Sequence, residues 1–153
     1  MNRVEIQRAF QGPGIPASKR IRNWANAVLD PRVHGTESVI RVVDSQESAA
    51  LNQRFRNKIG PTNVLSFGYG SDTDQPIKLL GDIVICAPVV ADEAARQAKD
   101  SDAHWAHMVV HGLLHLLGYD HVDDRDAVEM ETLETQILSG LGYPDPYREL
   151  ADP

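Results

Sequence analysis

The sequence has one cysteine, few aromatic residues and no long apolar run, and each shortage excludes a class of protein. A lone Cys86 cannot form an internal disulfide, which is typical of proteins from a reducing compartment. No stretch approaches the roughly 20 apolar residues that cross a bilayer, and the first residues lack the apolar segment of a secretion signal. With 42% hydrophobic residues among 153, the chain can bury one core. We therefore expect one cytoplasmic domain over residues 1–153.

An overall excess of positive charge is also absent. The formal net charge of −7 argues against a protein that coats RNA broadly. The charge is uneven, because residues 1–58 contain ten Lys or Arg and five Asp or Glu, a net charge of +5. Residues 101–153 contain two Arg and eleven Asp or Glu, a net charge of −9. This pattern fits a basic patch that faces an anionic substrate, and it fits scattered surface charge equally well.

Histidine is concentrated in the run HGLLHLLGYDH, which spans residues 111–121. His111 and His115 are four residues apart, so on a helix they project from one face about one turn apart. Gly118 can adopt a positive φ and end that helix, which lets His121 return to the same point. Three protein ligands leave one tetrahedral position open, as in a catalytic zinc site. The run therefore predicts one zinc ion per chain.

The same spacing matches the zinc-protease pattern H-E-x-x-H-x-x-G-x-x-H with one departure. Gly112 stands where the protease has the glutamate that acts as its general base. The metal prediction is unaffected by this difference, and the peptidase prediction is weakened. A zinc hydrolase of another class remains an alternative, as does a zinc-bound ribosome assembly factor without catalysis.

Hydrophobic periodicity predicts four strands and five helices. The strands lie near residues 4–10, 38–43, 62–67 and 79–86, and the helices near 18–29, 44–54, 88–99, 103–117 and 123–140. The helix at 103–117 is apolar nearly all round and is therefore expected to be buried. These elements predict an α+β fold, in which a small mixed four-stranded sheet is packed with about five helices. The metal site lies at the end of the buried helix.

A second group of candidate functional residues precedes the Gly-Pro turn at residues 60–61, namely Arg54, Arg56 and Lys58. The planar guanidinium of arginine suits phosphate oxygens and could stabilise the charge of a phosphodiester transition state. Cations also favour the C-terminal end of any helix, and this local sequence alone favours that structural interpretation.

Several segments together resemble the bacterial YbeY family of zinc-dependent, single-strand-specific endoribonucleases. They are FRNK at 55–58, PTNVLSF at 61–67, LGDIVI at 80–85, HWAHMVV at 104–110, the histidine run and LGYPDPY at 141–147. The resemblance implies that His111, His115 and His121 bind zinc, and that Arg56 is needed for catalysis. It also implies a role in ribosomal RNA processing, including 16S rRNA 3′-end maturation and ribosome quality control. The family commonly has glycine where this chain has Asn57.

The resemblance implies single-stranded RNA, ribosomal RNA and the small ribosomal subunit or its proteins as partners. The cluster of cations itself makes Arg54 and Lys58 candidate substrate-binding residues. Two carboxylates, Asp120 and Asp82, are candidates for acid–base chemistry or for purely structural roles. Three aromatic residues are candidates for base stacking, although core packing explains the first equally well: Phe67, Tyr69 and Tyr119. His104 and His107 are interpreted as neighbours of the metal site or as core residues, and not as ligands.

Overall fold

The computed structural model describes residues 1–69, 78–120 and 122–148. Within these residues the chain forms four strands and five helices, in agreement with the prediction. The strands are β1 (Arg3–Arg8), β2 (Thr36–Val43), β3 (Val64–Gly68) and β4 (Lys78–Cys86). The helices are α1 (Ser18–Leu29), α2 (Ser45–Arg56), α3 (Ala87–Arg96), α4 (Ser101–Leu116) and α5 (Asp124–Gly140). None of the helices described is long and apolar enough to cross a membrane.

The strands form one mixed sheet in the order β1-β2-β4-β3. β1 and β4 both run parallel to β2, whereas β3 runs antiparallel to β4. Among the described strands, β3 pairs only with β4 and therefore lies at an edge of the sheet. This edge strand carries the second half of the PTNVLSF segment.

Side chains that alternate along the strands belong to two cores, one on each face of the sheet. The larger core joins the sheet to α1, α4 and α5, and its fully buried members include Ile40, Ile83, Trp105 and Leu113. A smaller cluster on the other face contains Val43, Leu65, Val84 and Cys86, against which Leu51, Phe67 and Val89 pack. Cys86 is a free thiol with 0% exposure and packs as a small core residue.

Two predicted helix starts are confirmed by their caps. The Asp44 carboxylate accepts a hydrogen bond from the Glu47 backbone N–H at 2.8 Å, and Asp123 accepts one from Asp126 at 2.9 Å. Helix α3 ends at Arg96, three residues before the predicted end, because Ala98 adopts a left-handed conformation with φ of 51°. The segment between the predicted strands at 62–67 and 79–86 includes residues 70–77, which lie outside the described residues.

Gly81 is the position in the sheet where a side chain is least tolerable. Its φ is +145°, and an added Cβ would lie 2.3 Å from the Phe67 carbonyl oxygen and 2.8 Å from Leu116 Cδ2. We expect Gly81→Ala to destabilise the protein by about 1–3 kcal/mol, measured by urea unfolding. Gly140→Ala is the control, because nothing lies within 4 Å of its added Cβ at the end of α5. Equal unfolding midpoints for both variants would refute this account of Gly81.

Candidate metal centre and active-site groove

The C-terminal half of α4 places His111 and His115 together. Their ring centroids are 4.7 Å apart, with the planes at 79°, as expected for side chains one helical turn apart. The helix ends as predicted, since Gly118 has φ of +99° and its N–H donates to the His115 carbonyl at 3.0 Å. His121, the third predicted ligand, lies outside the described residues.

A fully buried carboxylate on α5 lies behind this histidine pair. Glu134 is 0% exposed, and its Oε1 is 2.9 Å from His111 Nδ1. Its Oε2 accepts hydrogen bonds from His107 Nε2 and, at 2.5 Å, from the Tyr147 hydroxyl. Both carboxylate oxygens are therefore engaged, which is what a buried charge requires.

The hydrogen bonds to Glu134 determine its ionisation. Burial alone would raise the pKa of this carboxyl, but the hydrogen bonds from His107, His111 and Tyr147 outweigh that effect and hold the pKa at about 2. Burial, followed by the hydrogen bond to the carboxylate, raises the pKa of Tyr147. Glu134 is thus an anion and Tyr147 a neutral donor at neutral pH.

His107, His111 and Glu134 each offer a possible ligand atom within 4.8 Å of one another, so this group could hold a metal ion. His107 Nε2 and His111 Nδ1 already form the hydrogen bonds to Glu134 described above, however. A proton on His111 Nδ1 shared with Glu134 places the ring's lone pair on Nε2, which is the nitrogen that metal-binding histidines with such a partner commonly use. The donor chemistry therefore fits a metal at His111 and His115, oriented from behind by Glu134.

A groove of about 410 Å³ opens in front of the two histidines. It is also lined by Arg56, Lys58 and Asp120, together with residues 62–66 of the edge strand and its preceding turn. The structure thus brings the basic residues at the end of α2 beside the histidines of α4. The sequence alone could not place these segments together, because they are separated by more than 50 residues.

Buried polar side chains of α2 hold the Gly-Pro turn in place. The Asn52 side chain donates to the Gly60 carbonyl at 2.8 Å, while Ser48 Oγ donates to the Thr62 carbonyl and accepts from its N–H, both at 3.1 Å. Asn57 ends α2 with φ of 56°, a left-handed conformation that asparagine tolerates better than most residues. Asparagine can therefore supply the left-handed conformation that ends this helix.

Arg56 is fixed at the free edge of β3. One of its terminal nitrogens donates to the Ser66 carbonyl at 2.5 Å, and the other donates to the Phe55 carbonyl at 3.3 Å. A guanidinium has five N–H donors, so these two bonds orient the group and leave donors for a ligand. The Ser66 hydroxyl in turn donates to the Gly112 carbonyl at 3.2 Å, which links the edge strand to α4 beside His111.

Gly112 lies where α4 approaches the sheet most closely. A Cβ at this position would lie 3.0 Å from Ile83 Cγ2 and 3.2 Å from Val64 Cγ2. A side chain at this position would therefore require Ile83 and Val64 to shift by a few tenths of an ångström. This close packing disfavours the glutamate of the protease pattern.

The remaining candidates lie at various distances from the groove. Asp82 lines a separate hollow and accepts a hydrogen bond from Tyr69 at 2.6 Å. His104 is buried against Glu93, 3.0 Å away, and burial lowers its pKa despite that carboxylate. Tyr119 packs against the larger core, and Arg54 lies over the ring of Phe55.

Sequence reasoning missed Glu134, although a signal was present. Glu134 falls on the same face of α5 as the buried residues Met130, Ile137 and Leu138. An acidic residue on an otherwise apolar helical face needs a buried partner, and the histidines of the predicted buried helix at 103–117 are candidates for it.

Helix-borne imidazoles, a buried carboxylate behind them and an arginine across an open groove are features of a metal-dependent hydrolase. Residues 10–142 match the family described as Endoribonuclease YbeY, so the chain belongs to this family. The predicted family, and with it a hydrolase that acts on RNA, is confirmed.

One curated relative supports this assignment, and one solved structure supports the fold. The Endoribonuclease YbeY of Methylococcus capsulatus is 55% identical over 147 residues, which cover 96% of each chain. The solution structure of TM1509 from Thermotoga maritima has the same fold, with a TM-score of 0.62, 23% identity and full coverage of both chains. At that identity, the second comparison supports the fold alone.

Proposed function

We propose that this chain is a zinc-dependent endoribonuclease that cleaves single-stranded RNA during ribosomal RNA processing in the cytoplasm. Its substrates would include the 3′ end of 16S rRNA, reached on the small ribosomal subunit, and RNA removed in ribosome quality control. The observation that carries the proposal is the shared groove, in which Arg56 and Lys58 face His111 and His115. Two cations beside two candidate metal ligands suit a phosphodiester better than a neutral peptide bond.

We assign His111, His115 and His121 as the residues that hold one zinc ion. Zinc, when bound, supplies a Lewis acid that polarises a phosphate oxygen and lowers the pKa of a coordinated water. Glu134 positions His111 by accepting the Nδ1 proton, and the Tyr147 hydroxyl and His107 hold that carboxylate in turn. Asp120 lines the groove and is our candidate for accepting or donating a proton during cleavage.

We assign Arg56 to the negative charge that develops on the non-bridging phosphate oxygens. Its anchoring to two backbone carbonyls means that little reorganisation is needed when the charge develops. Lys58, which lines the same groove, and Arg54, two residues before Arg56 on α2, would contact neighbouring phosphates as mobile charges. Phosphate contacts of this kind carry no sequence information, which suits an enzyme guided by its position on a ribosomal particle.

We expect Arg56→Ala to reduce the rate of cleavage of single-stranded RNA by about 100- to 1000-fold without loss of bound zinc. Removing one donor to a developing anion has an effect of this size, and Arg56 is not among the proposed ligands. The test measures kcat, KM and zinc content for the zinc-loaded wild type and the variant. Arg32→Ala is the matched control, because the Arg32 guanidinium bonds the Val28 carbonyl within α1.

The outcomes separate the proposal from its main competitor. Undiminished cleavage by a folded Arg56→Ala protein would rule out the assigned role of Arg56. No cleavage by a fully zinc-loaded wild type, either of free RNA or of RNA in immature small subunits, would favour an assembly factor without catalysis. Cleavage of peptides that depends on zinc would revive the alternative of another hydrolase class.

A further inference from the structure

Phe55 is an aromatic residue that remains half exposed beside the groove. It lies in the last turn of α2 with 51% exposure, although Leu51, one turn earlier, packs into the smaller core. Its ring meets that of Phe67 edge to face, with centroids 5.4 Å apart and planes at 67°. Phe55 is therefore held in one orientation by a neighbouring ring and still presents apolar surface to the outside.

Two guanidinium groups flank this pair of rings. Arg54 Cζ lies 5.2 Å from the centroid of Phe55, and Arg56 Cζ lies 4.9 Å from that of Phe67. Aromatic rings interleaved with arginines are the surface that proteins use for unpaired nucleotides, because bases stack on the rings while cations attract the phosphates. We call Phe55, Phe67, Arg54 and Arg56 the aromatic platform.

The aromatic platform is continuous with the groove through Arg56. That side chain lines the groove with His111 and His115 and also contacts the ring of Phe67. An RNA strand whose phosphate lies beside Arg56 would therefore bring a neighbouring nucleotide to Phe55. The bases of a duplex are already stacked and paired, so only unpaired RNA can use such a surface.

We propose that Phe55 is the stacking site for an unpaired nucleobase next to the bond that is cleaved, and that this contact selects single-stranded RNA. The inference rests on the proposed function, since it takes RNA as the ligand. Because every base has a stacking face, the site accepts any of the four bases. It adds a specificity-determining residue to a groove whose other contacts are to phosphate and metal.

The test uses zinc-loaded wild type, Phe55→Leu, Phe55→Trp and Val128→Ala. Leucine keeps an apolar group against Phe67 but removes the ring, and Val128 is a 62% exposed apolar residue on α5 that serves as control. The probes are an unpaired oligoribonucleotide, the same oligomer with an abasic nucleotide at each position in turn, and a blunt RNA duplex. Cleavage gives kcat and KM. Phe55→Trp adds an indole whose fluorescence is measured as the increase over the wild-type signal. Quenching of this added fluorescence by the RNA reports stacking independently of cleavage.

We expect Phe55→Leu to raise KM by about fivefold to 100-fold with little change in kcat, as loss of one stacked base predicts. One abasic position in the oligomer should raise the KM of the wild type by a similar factor. The same position should not raise the KM of Phe55→Leu any further. Phe55→Trp and Val128→Ala should resemble the wild type in cleavage. The intact oligomer should quench the added fluorescence of Phe55→Trp. The oligomer that is abasic at the stacking position should not quench it.

Wild-type KM for Phe55→Leu, together with unquenched fluorescence of Phe55→Trp, would overturn the stacking site and leave the nuclease proposal intact. Equal quenching by the duplex would overturn the selection of unpaired RNA. Quenching by the intact oligomer without any cleavage by the wild type would retain the stacking site and refute the nuclease proposal instead.

Discussion

A His115→Ala protein is expected to lose its zinc and to cleave single-stranded RNA at no more than the background rate. His115 lies beside His111 near the C-terminal end of α4, and removing one of the three proposed ligands should weaken zinc binding by more than the roughly 100-fold typical of outer contacts. The fold should survive, because the neighbouring core residues Leu113 and Leu114 are untouched. The measurement pairs zinc content with cleavage of a labelled RNA by wild type and variant purified in parallel.

His34→Ala is the matched control for this experiment. His34 is an exposed loop histidine far along the chain from α4, and its replacement removes the same chemical group. It should retain full zinc content and activity. Equal cleavage by wild type and His115→Ala would mean that the activity comes from another site or from a contaminating nuclease. Unchanged zinc content in His115→Ala would refute the ligand assignment by itself.

Glu134→Gln is expected to have the second largest effect, although its side chain would not touch RNA. The amide nitrogen of glutamine is a donor, so it cannot satisfy the donors of His107, His111 and Tyr147 together. We expect a 10- to 100-fold loss of zinc affinity, because His111 loses the partner that orients it. Chelator competition measures that affinity. Loss of a buried ionic partner should also destabilise the metal-free protein by about 3–5 kcal/mol.

The pH dependence of stability gives this prediction a readout separate from metal binding. The pKa of Glu134 is about 2, lowered from 4.5, so its carboxylate stabilises the fold fully above about pH 4.5. That contribution, about 3 kcal/mol, is lost as the pH falls from 4.5 towards 2. Urea unfolding of metal-free Glu134→Gln should lack this component. Glu131→Gln changes an exposed neighbour on α5 and should keep the pH-dependent stability of the wild type. Identical pH profiles for the wild type, Glu134→Gln and Glu131→Gln would contradict the role assigned to Glu134.

Local features of the fold are predictable because they depend on neighbouring residues. The spacing of His111, His115 and Gly118 predicts a helix with two imidazoles on one face and a glycine at its end, and α4 has that form. Capping by Asp44 and Asp123 is equally predictable, since the hydrogen bonds join residues three apart. The end of α3 is not, because nothing in the sequence marks Ala98 for a left-handed conformation.

The surroundings of the histidines depend on contacts across the chain, which spacing cannot reveal. Glu134 reaches His111 from another helix, 23 residues away, and Arg56 reaches the groove from α2. The local sequence around Arg56 favours a solvated helix end, and only the pairing of β3 with β4 beneath α4 brings that helix end to the histidines. The resemblance to the YbeY family points to Arg56 even though the local sequence does not. Neither the resemblance nor the local sequence points to Glu134.

The close packing at Gly112 has an evolutionary consequence. A single change from glycine to glutamate would supply the missing residue of the protease pattern, but Ile83 and Val64 already fill the space beside it. Such a mutant would strain the packing of α4 against two separate strands, so we expect it to be less stable than the present chain. Any evolutionary route to the protease pattern at this position would therefore begin with a loss of stability, which selection against unstable proteins opposes.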